Sequence, residues 1–75
     1  INDKLWKNAS QYVRYILSLS PRGFNMSQNT CYMQLQIMNA ILMTAQEYNS
    51  AWADKHAKEF NSFVQSFEMR GGKIK

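Results

Sequence analysis

The stretch GFNMSQNTCYMQLQIMNAILMTAQ, residues 23–46, holds no Asp, Glu, Lys or Arg, although the chain carries nine basic and five acidic residues. All of those charges lie in the first 22 residues or from Glu47 onward. Within the stretch Cys31, Leu35, Met38, Leu42 and Ala45 step by four and three, the spacing of one stripe along a helix. A second stripe, Met33, Ile37, Ile41 and Tyr48, runs along a different side of the same helix. Apolar residues on two sides demand cover from two sides. The stretch is therefore expected to form the central helix, with the flanking segments packed against it.

Ahead of it, Leu5, Ala9, Tyr12, Ile16 and Leu19 step by four, three, four and three, widened by Trp6, Val13 and Leu17. Lys4, Lys7, Asn8, Ser10, Gln11 and Arg14 fill the remaining face. With Asn2 or Asp3 as cap and Asp3 complementing the helix dipole, this predicts an amphipathic helix over about 3–19. Ser20-Pro21-Arg22-Gly23 stops it, because Pro disfavours helical geometry in the preceding residue and Gly readily turns left-handed. Phe24 is placed to cover the end of the core. Asn25 with Gln28, or Ser27, is expected to cap the second helix, over about 27–47.

Beyond Gln46 two readings compete. Asn49 or Ser50 can cap a third helix over about 50–69, with Ala53, Ala57, Phe60, Val64 and Phe67 as its stripe and Trp52, His56 and Phe63 beside it. Alternatively, with no Gly or Pro before Gly71, one helix runs from 27 to 69. That rod would be ~65 Å long, could not pack on itself and would force oligomerisation. The broken version is preferred, giving an all-α, three-helix bundle with short connections. Gly71-Gly72 is expected to end the last helix, leaving 71–75 as a flexible basic tail.

Size and composition narrow the function classes. A 75-residue chain forms one small helical domain and buries only ~60–65% of its unfolded surface. One Cys allows neither an internal disulfide nor an all-Cys metal site, so stability must come from regular packing or from a partner. Charged residues make up 19% against a usual ~25%, and there are ten aromatic residues, a composition of folded chains whose surface is partly covered. The first residue is Ile, so a trimmed or processed chain is expected, and no secretory leader is legible. The uncharged stretch is interrupted by seven Asn and Gln residues, too polar for the ~20 mainly apolar residues of a membrane span.

No constellation for catalysis emerges. His56 is the single His and has neither nucleophile nor acid positioned beside it; its ring is expected to pack beside Trp52 and Phe60. Cys31 sits on the apolar stripe, far from any charge that would lower its pKa, and reads as a small hydrophobe. No metal-ligand spacing, cofactor motif or phosphate loop is present. Asn8-Ala9-Ser10 and Asn25-Met26-Ser27 match glycosylation sequons, triplets common by chance. The expectation is a non-enzymatic protein.

Five Met residues in so short a chain, three of them (Met33, Met38 and Met43) pointing in different directions around the second helix, suit an adaptable interface. Tyr32, Gln34, Gln36 and Asn39 stand where a surface helix would carry Lys and Glu, again the composition of an interface. The reading is a protein–protein interaction module for assembly, adaptation or inhibition, binding another protein or itself. Its candidate surface is Tyr32, Gln36, Asn39 and Met43, with Met33 and Gln34 as further possibilities. The alternative is a small basic nucleic-acid-binding protein. At net charge +4 it would use Lys4, Lys7, Arg14 and Arg22, with Trp6, Tyr12 and Tyr15 for stacking. Over about a dozen residues, Trp52-Ala53-Asp54 followed by Phe60 resembles the Trp-x-Gly hairpin of a family of small secreted two-helix proteins. Asp54 stands where that motif has Gly, and the extra N-terminal helix departs from its pattern, so membership does not follow.

Overall fold

The computed structural model describes residues 3–73. It contains three helices, α1 (Asp3–Leu17), α2 (Pro21–Tyr48) and α3 (Ser50–Met69), and no strand among the described residues. The chain is an all-α bundle in which α2 packs against both neighbours, while α1 and α3 touch each other more sparingly. The long dimension of 39 Å is that of α2, whose 28 residues rise ~40 Å.

The first break comes earlier and is tighter than 20–26. α1 ends at Leu17, and α2 begins at Pro21 rather than near Ser27. Pro21 forces Ser20 out of the helical region, at φ −60° and ψ 162°, which is the geometry an N-cap needs. The Ser20 hydroxyl then accepts from the Gly23 amide at 3.2 Å, and Pro21 loses nothing at a position whose N–H would have been unpaired. Neither Asn25, Gln28 nor Ser27 caps the helix. Gly23 serves by its size: a Cβ there would lie 3.2 Å from Leu19 Cβ, so its absence lets the first turn of α2 fold closely over Leu19 of the connection.

The second break is a single residue. Asn49 takes an extended conformation (φ −157°, ψ 83°), donates its amide to Ala45 O at 2.7 Å, and accepts at Oδ1 from the Trp52 amide at 3.1 Å. One Asn thus closes α2 and opens α3, which excludes the continuous 27–69 rod. At the far end Gly71, at φ 96°, takes the left-handed position. The Gly71 and Gly72 amides donate to Glu68 O (3.0 Å) and Phe67 O (2.9 Å), the paired bonds that satisfy the last carbonyls. Gly72 is buried, and a Cβ on it would meet the Phe67 ring at 2.5 Å. The tail expected from residue 71 therefore starts after Gly72; of it, Ile74 and Lys75, like Asn2 at the other end, lie outside the described residues.

The core is formed by Trp6, Ala9, Val13, Ile16 and Leu17 of α1, by Phe24, Cys31, Leu35, Met38, Leu42 and Ala45 of α2, and by Ala53, Phe63 and Phe67 of α3. Each large member contributes ~1.5–3 kcal/mol on burial. Phe24 seals one end with its ring 5.7 Å from that of Phe67. The first stripe of α2 is buried as its spacing predicts; the second is not. Met33, Ile37 and Tyr48 are exposed and Ile41 is half-buried. Two helices of 15 and 20 residues both dock on one broad inner side of α2, so its opposite side is left open. On α1 the buried line runs through Trp6, Ala9, Val13 and Ile16, leaving the predicted core residues Leu5 and Tyr12 exposed.

Candidate functional site

Four titratable side chains, Asp3, Arg14, His56 and Glu59, meet in the seam between α1 and α3, and there they are occupied with one another and with two tryptophans. Trp6 Nε1 donates to Glu59 Oε1 at 3.0 Å, and the other Glu59 oxygen pairs with the Arg14 guanidinium, which also lies 5.5 Å from the Phe63 ring centroid. Trp52 Nε1 donates to Asp3 Oδ1 at 2.7 Å. The His56 ring stacks on Trp52 (4.1 Å, 20°) and meets Trp6 edge-on (5.3 Å), while Nδ1 donates to the Trp52 carbonyl at 2.9 Å. Of the two rings expected beside His56, Trp52 is in contact, while the second contact is with Trp6 of α1; Phe60 lines a groove towards α2 instead. Each group here holds the helices in register, and carbonyl acceptance fixes the proton on Nδ1.

The remaining chemical candidates are equally committed. Cys31 is fully buried, and burial pushes its thiol up to about 11, far from the low pKa of a nucleophile. The Ser10 hydroxyl of the first sequon is buried and donates to Trp6 O at 2.6 Å. Among the described residues no three His, Cys, Asp or Glu side chains come together to hold a metal ion. Nor is any described helix long and apolar enough to cross a membrane.

The residues considered for nucleic acid are dispersed. Lys4 and Lys7 stand on the first turns of α1, Arg14 is ~10–15 Å further along it and tied to Glu59, and Arg22 opens α2 beyond the other end of α1. Trp6, read as a stacking surface, is buried in the seam, which leaves Tyr12 and Tyr15 as the exposed aromatic residues of α1.

The four residues favoured for partner binding, by contrast, do form one stripe. Tyr32, Gln36, Asn39 and Met43 run down the flank of α2 nearest α3. Gln36 Nε2 donates to the Tyr32 hydroxyl at 3.0 Å, and Asn39 Nδ2 lies 3.8 Å from Met43 Sδ. Tyr32 is half-buried, its ring stacked at 6.5 Å on Phe67; the other three are exposed. Tyr32, Gln36 and Asn39 line a groove of about 340 Å³ closed on its other side by Phe60, Asn61 and Val64 of α3.

A second groove, about 390 Å³, lies on the opposite flank of α2, where Leu5 of α1 faces Ile37, Ala40, Ile41, Thr44 and Tyr48. It is almost wholly apolar. Sequence reasoning missed it by assigning Ile37, Ile41, Tyr48 and Leu5 to covered positions. The signal that would have found it is the ratio of lengths: two shorter helices cannot enclose a longer amphipathic one on every side. Compared with protein-family models, with curated proteins and with solved structures, the chain matches none.

Proposed function

We propose that the chain is a non-enzymatic protein–protein interaction module whose docking surface is the outward side of α2. The observation that carries this reading is the exposure of Met26, Met33, Ile37, Met43 and Tyr48 along a helix with no charge between residues 23 and 46. A solvated helix face is ordinarily dressed with Lys and Glu, and contiguous exposed apolar surface on a small protein marks a site of association. Flexible Met side chains beside Tyr, Gln and Asn supply contact area that adapts to a partner without desolvating a charge. The engagement of His56, Cys31 and Glu59 in packing supports the non-enzymatic part of the reading.

The test is affinity capture from an extract of the source cells with the immobilised chain, comparing wild type with Asn39→Lys, Met33→Lys and the remote control Lys58→Glu. The reading expects a saturable partner that both α2 variants lose and the control retains. Capture indifferent to every substitution on α2 would sink it. The dispersed Lys4, Lys7, Arg14 and Arg22 argue against the nucleic-acid alternative. That alternative would instead show affinity for random duplex falling steeply with salt.

A further inference from the structure

We infer that the partner on the apolar flank of α2 is a second copy of this chain, the two α2 helices packing antiparallel across a two-fold axis at Ile37. The inference rests on the reading of this helix as a protein interface and commits it to one occupant. In an antiparallel two-fold pair, two residues meet when their numbers lie equally far before and after the residue on the axis. Around Ile37 the exposed line of α2 is arranged in that way: Met33 and Ile41 stand four before and four after, Thr30 and Thr44 seven, Met26 and Tyr48 eleven. These offsets are close to one, two and three helical turns, so the seven residues share one face. Met meets Ile, Thr meets Thr, Met meets Tyr, and Ile37 meets itself. An isologous interface asks only that a face be complementary to itself, and an uncharged, apolar face centred on Ile37 meets that condition.

Charge and area agree with it. Two chains of net charge +4 repel as whole bodies, yet the face itself carries no charge to bring like against like. Along α2 itself the charges that flank the face are Arg22 and Glu47, of opposite sign, and the antiparallel arrangement brings each Arg22 toward the end that bears the second copy's Glu47. Met26, Tyr48, Met33, Leu5 and Ile37 are 80, 77, 61, 42 and 38% exposed. At ~200 Å² for a large side chain, that is on the order of 600 Å². With Thr30, Ala40 and Thr44 added, the face approaches the ~800 Å² per partner of a stable interface. The groove beside Leu5 is where the second copy's Met33 and Met26 would enter, flexible knobs for an apolar slot.

The experiment uses the full chain. Light scattering over a concentration series is expected to give a dimer that dissociates on dilution. Ile37→Lys sets two like charges face to face on the axis and is expected to weaken the dimer on the order of 100-fold or more. Should that variant fail to fold, Met33→Lys, at a more exposed position, makes the same test. Helices 8–10 Å apart bring facing Cα atoms to roughly 4–6 Å, within disulfide reach. Mild oxidation should therefore cross-link Ile37→Cys to itself. Met26→Cys and Tyr48→Cys should cross-link only when the two chains are mixed, and wild type, with Cys31 buried, should not cross-link at all. A strict monomer at all concentrations, or a dimer indifferent to Ile37→Lys and Met33→Lys, overturns the inference. A monomer that still loses a captured protein on Met33→Lys would show that this inference failed while the interaction reading stood.

Discussion

On the inner side of α2, Phe24, Cys31, Leu35, Met38, Leu42 and Ala45 are buried between α1 and α3; on its outer side Met26, Met33, Ile37 and Tyr48 face solvent. The two sides are built from the same kinds of residue at the same helical spacing. What separates them is the supply of covering surface: α1 and α3 have one apolar side each, and both are spent on the inner side. Apolar periodicity states that a face asks for cover. It does not state that the same chain will provide it.

The sharpest way to break this comparison uses two methionines five residues apart. Met38 is 0% exposed and Met33 is 61% exposed. Met38→Ala is expected to cost ~2–5 kcal/mol in urea unfolding, a large share of the stability available to so small a domain. Near-equal costs for Met38→Ala and Met33→Ala would erase the distinction between the sides.

Cys31 reports the dryness of the inner side through pH. Its folded pKa is raised from an ordinary 9.0 to about 11, so the unfolded chain releases the thiol proton first. The stability tied to the neutral thiol is whole below pH 9 and drains away as pH rises to 11, by up to about 3 kcal/mol. Unfolding measured at pH 8 and pH 10.5 for wild type and Cys31→Ala isolates this contribution from lysine and tyrosine titration. Equal slopes for the two chains would mean that water reaches the thiol.

Gly72→Ala tests how the inner side is sealed at its end. The new methyl would press on the Phe67 ring, itself set against Phe24 and Tyr32, and a cost of ~1–3 kcal/mol is expected from thermal melts. No loss would show that the ring swings aside and that the end of the core is loose. The smallest effect belongs to the outer side: Met33→Ala should change the stability of the monomer, measured at dilution, by less than ~0.5 kcal/mol. A larger loss there would mean that the outer side is already serving the fold.

Much of this architecture is legible in the sequence. The three helices follow from apolar spacing, the third within the bounds 50–69, and Asn49 and Gly71-Gly72 are recognisable as caps because their local chemistry decides their role. The start of α2 is misread because Pro21 can end one helix or begin the next. Which of these it does depends on whether Ser20 is free to turn and cap Gly23. Of the candidate surface, the stripe Tyr32, Gln36, Asn39 and Met43 is legible from its uncharged composition, whereas the groove beside Leu5 is not.

The sequence alone determines where the helices run, which residues are apolar, and that no charge sits on α2 between residues 23 and 46. Tertiary structure alone decides which of two apolar stripes on that helix is buried. It also decides that Trp6, His56 and Glu59 meet across a seam 50 residues wide in sequence, and that Leu5 and Tyr12 stay outside. The physical reason is that local propensity and periodicity act within one or two helical turns. Burial is a competition among faces of different helices for a limited area of cover, and that competition is settled only when all three have docked.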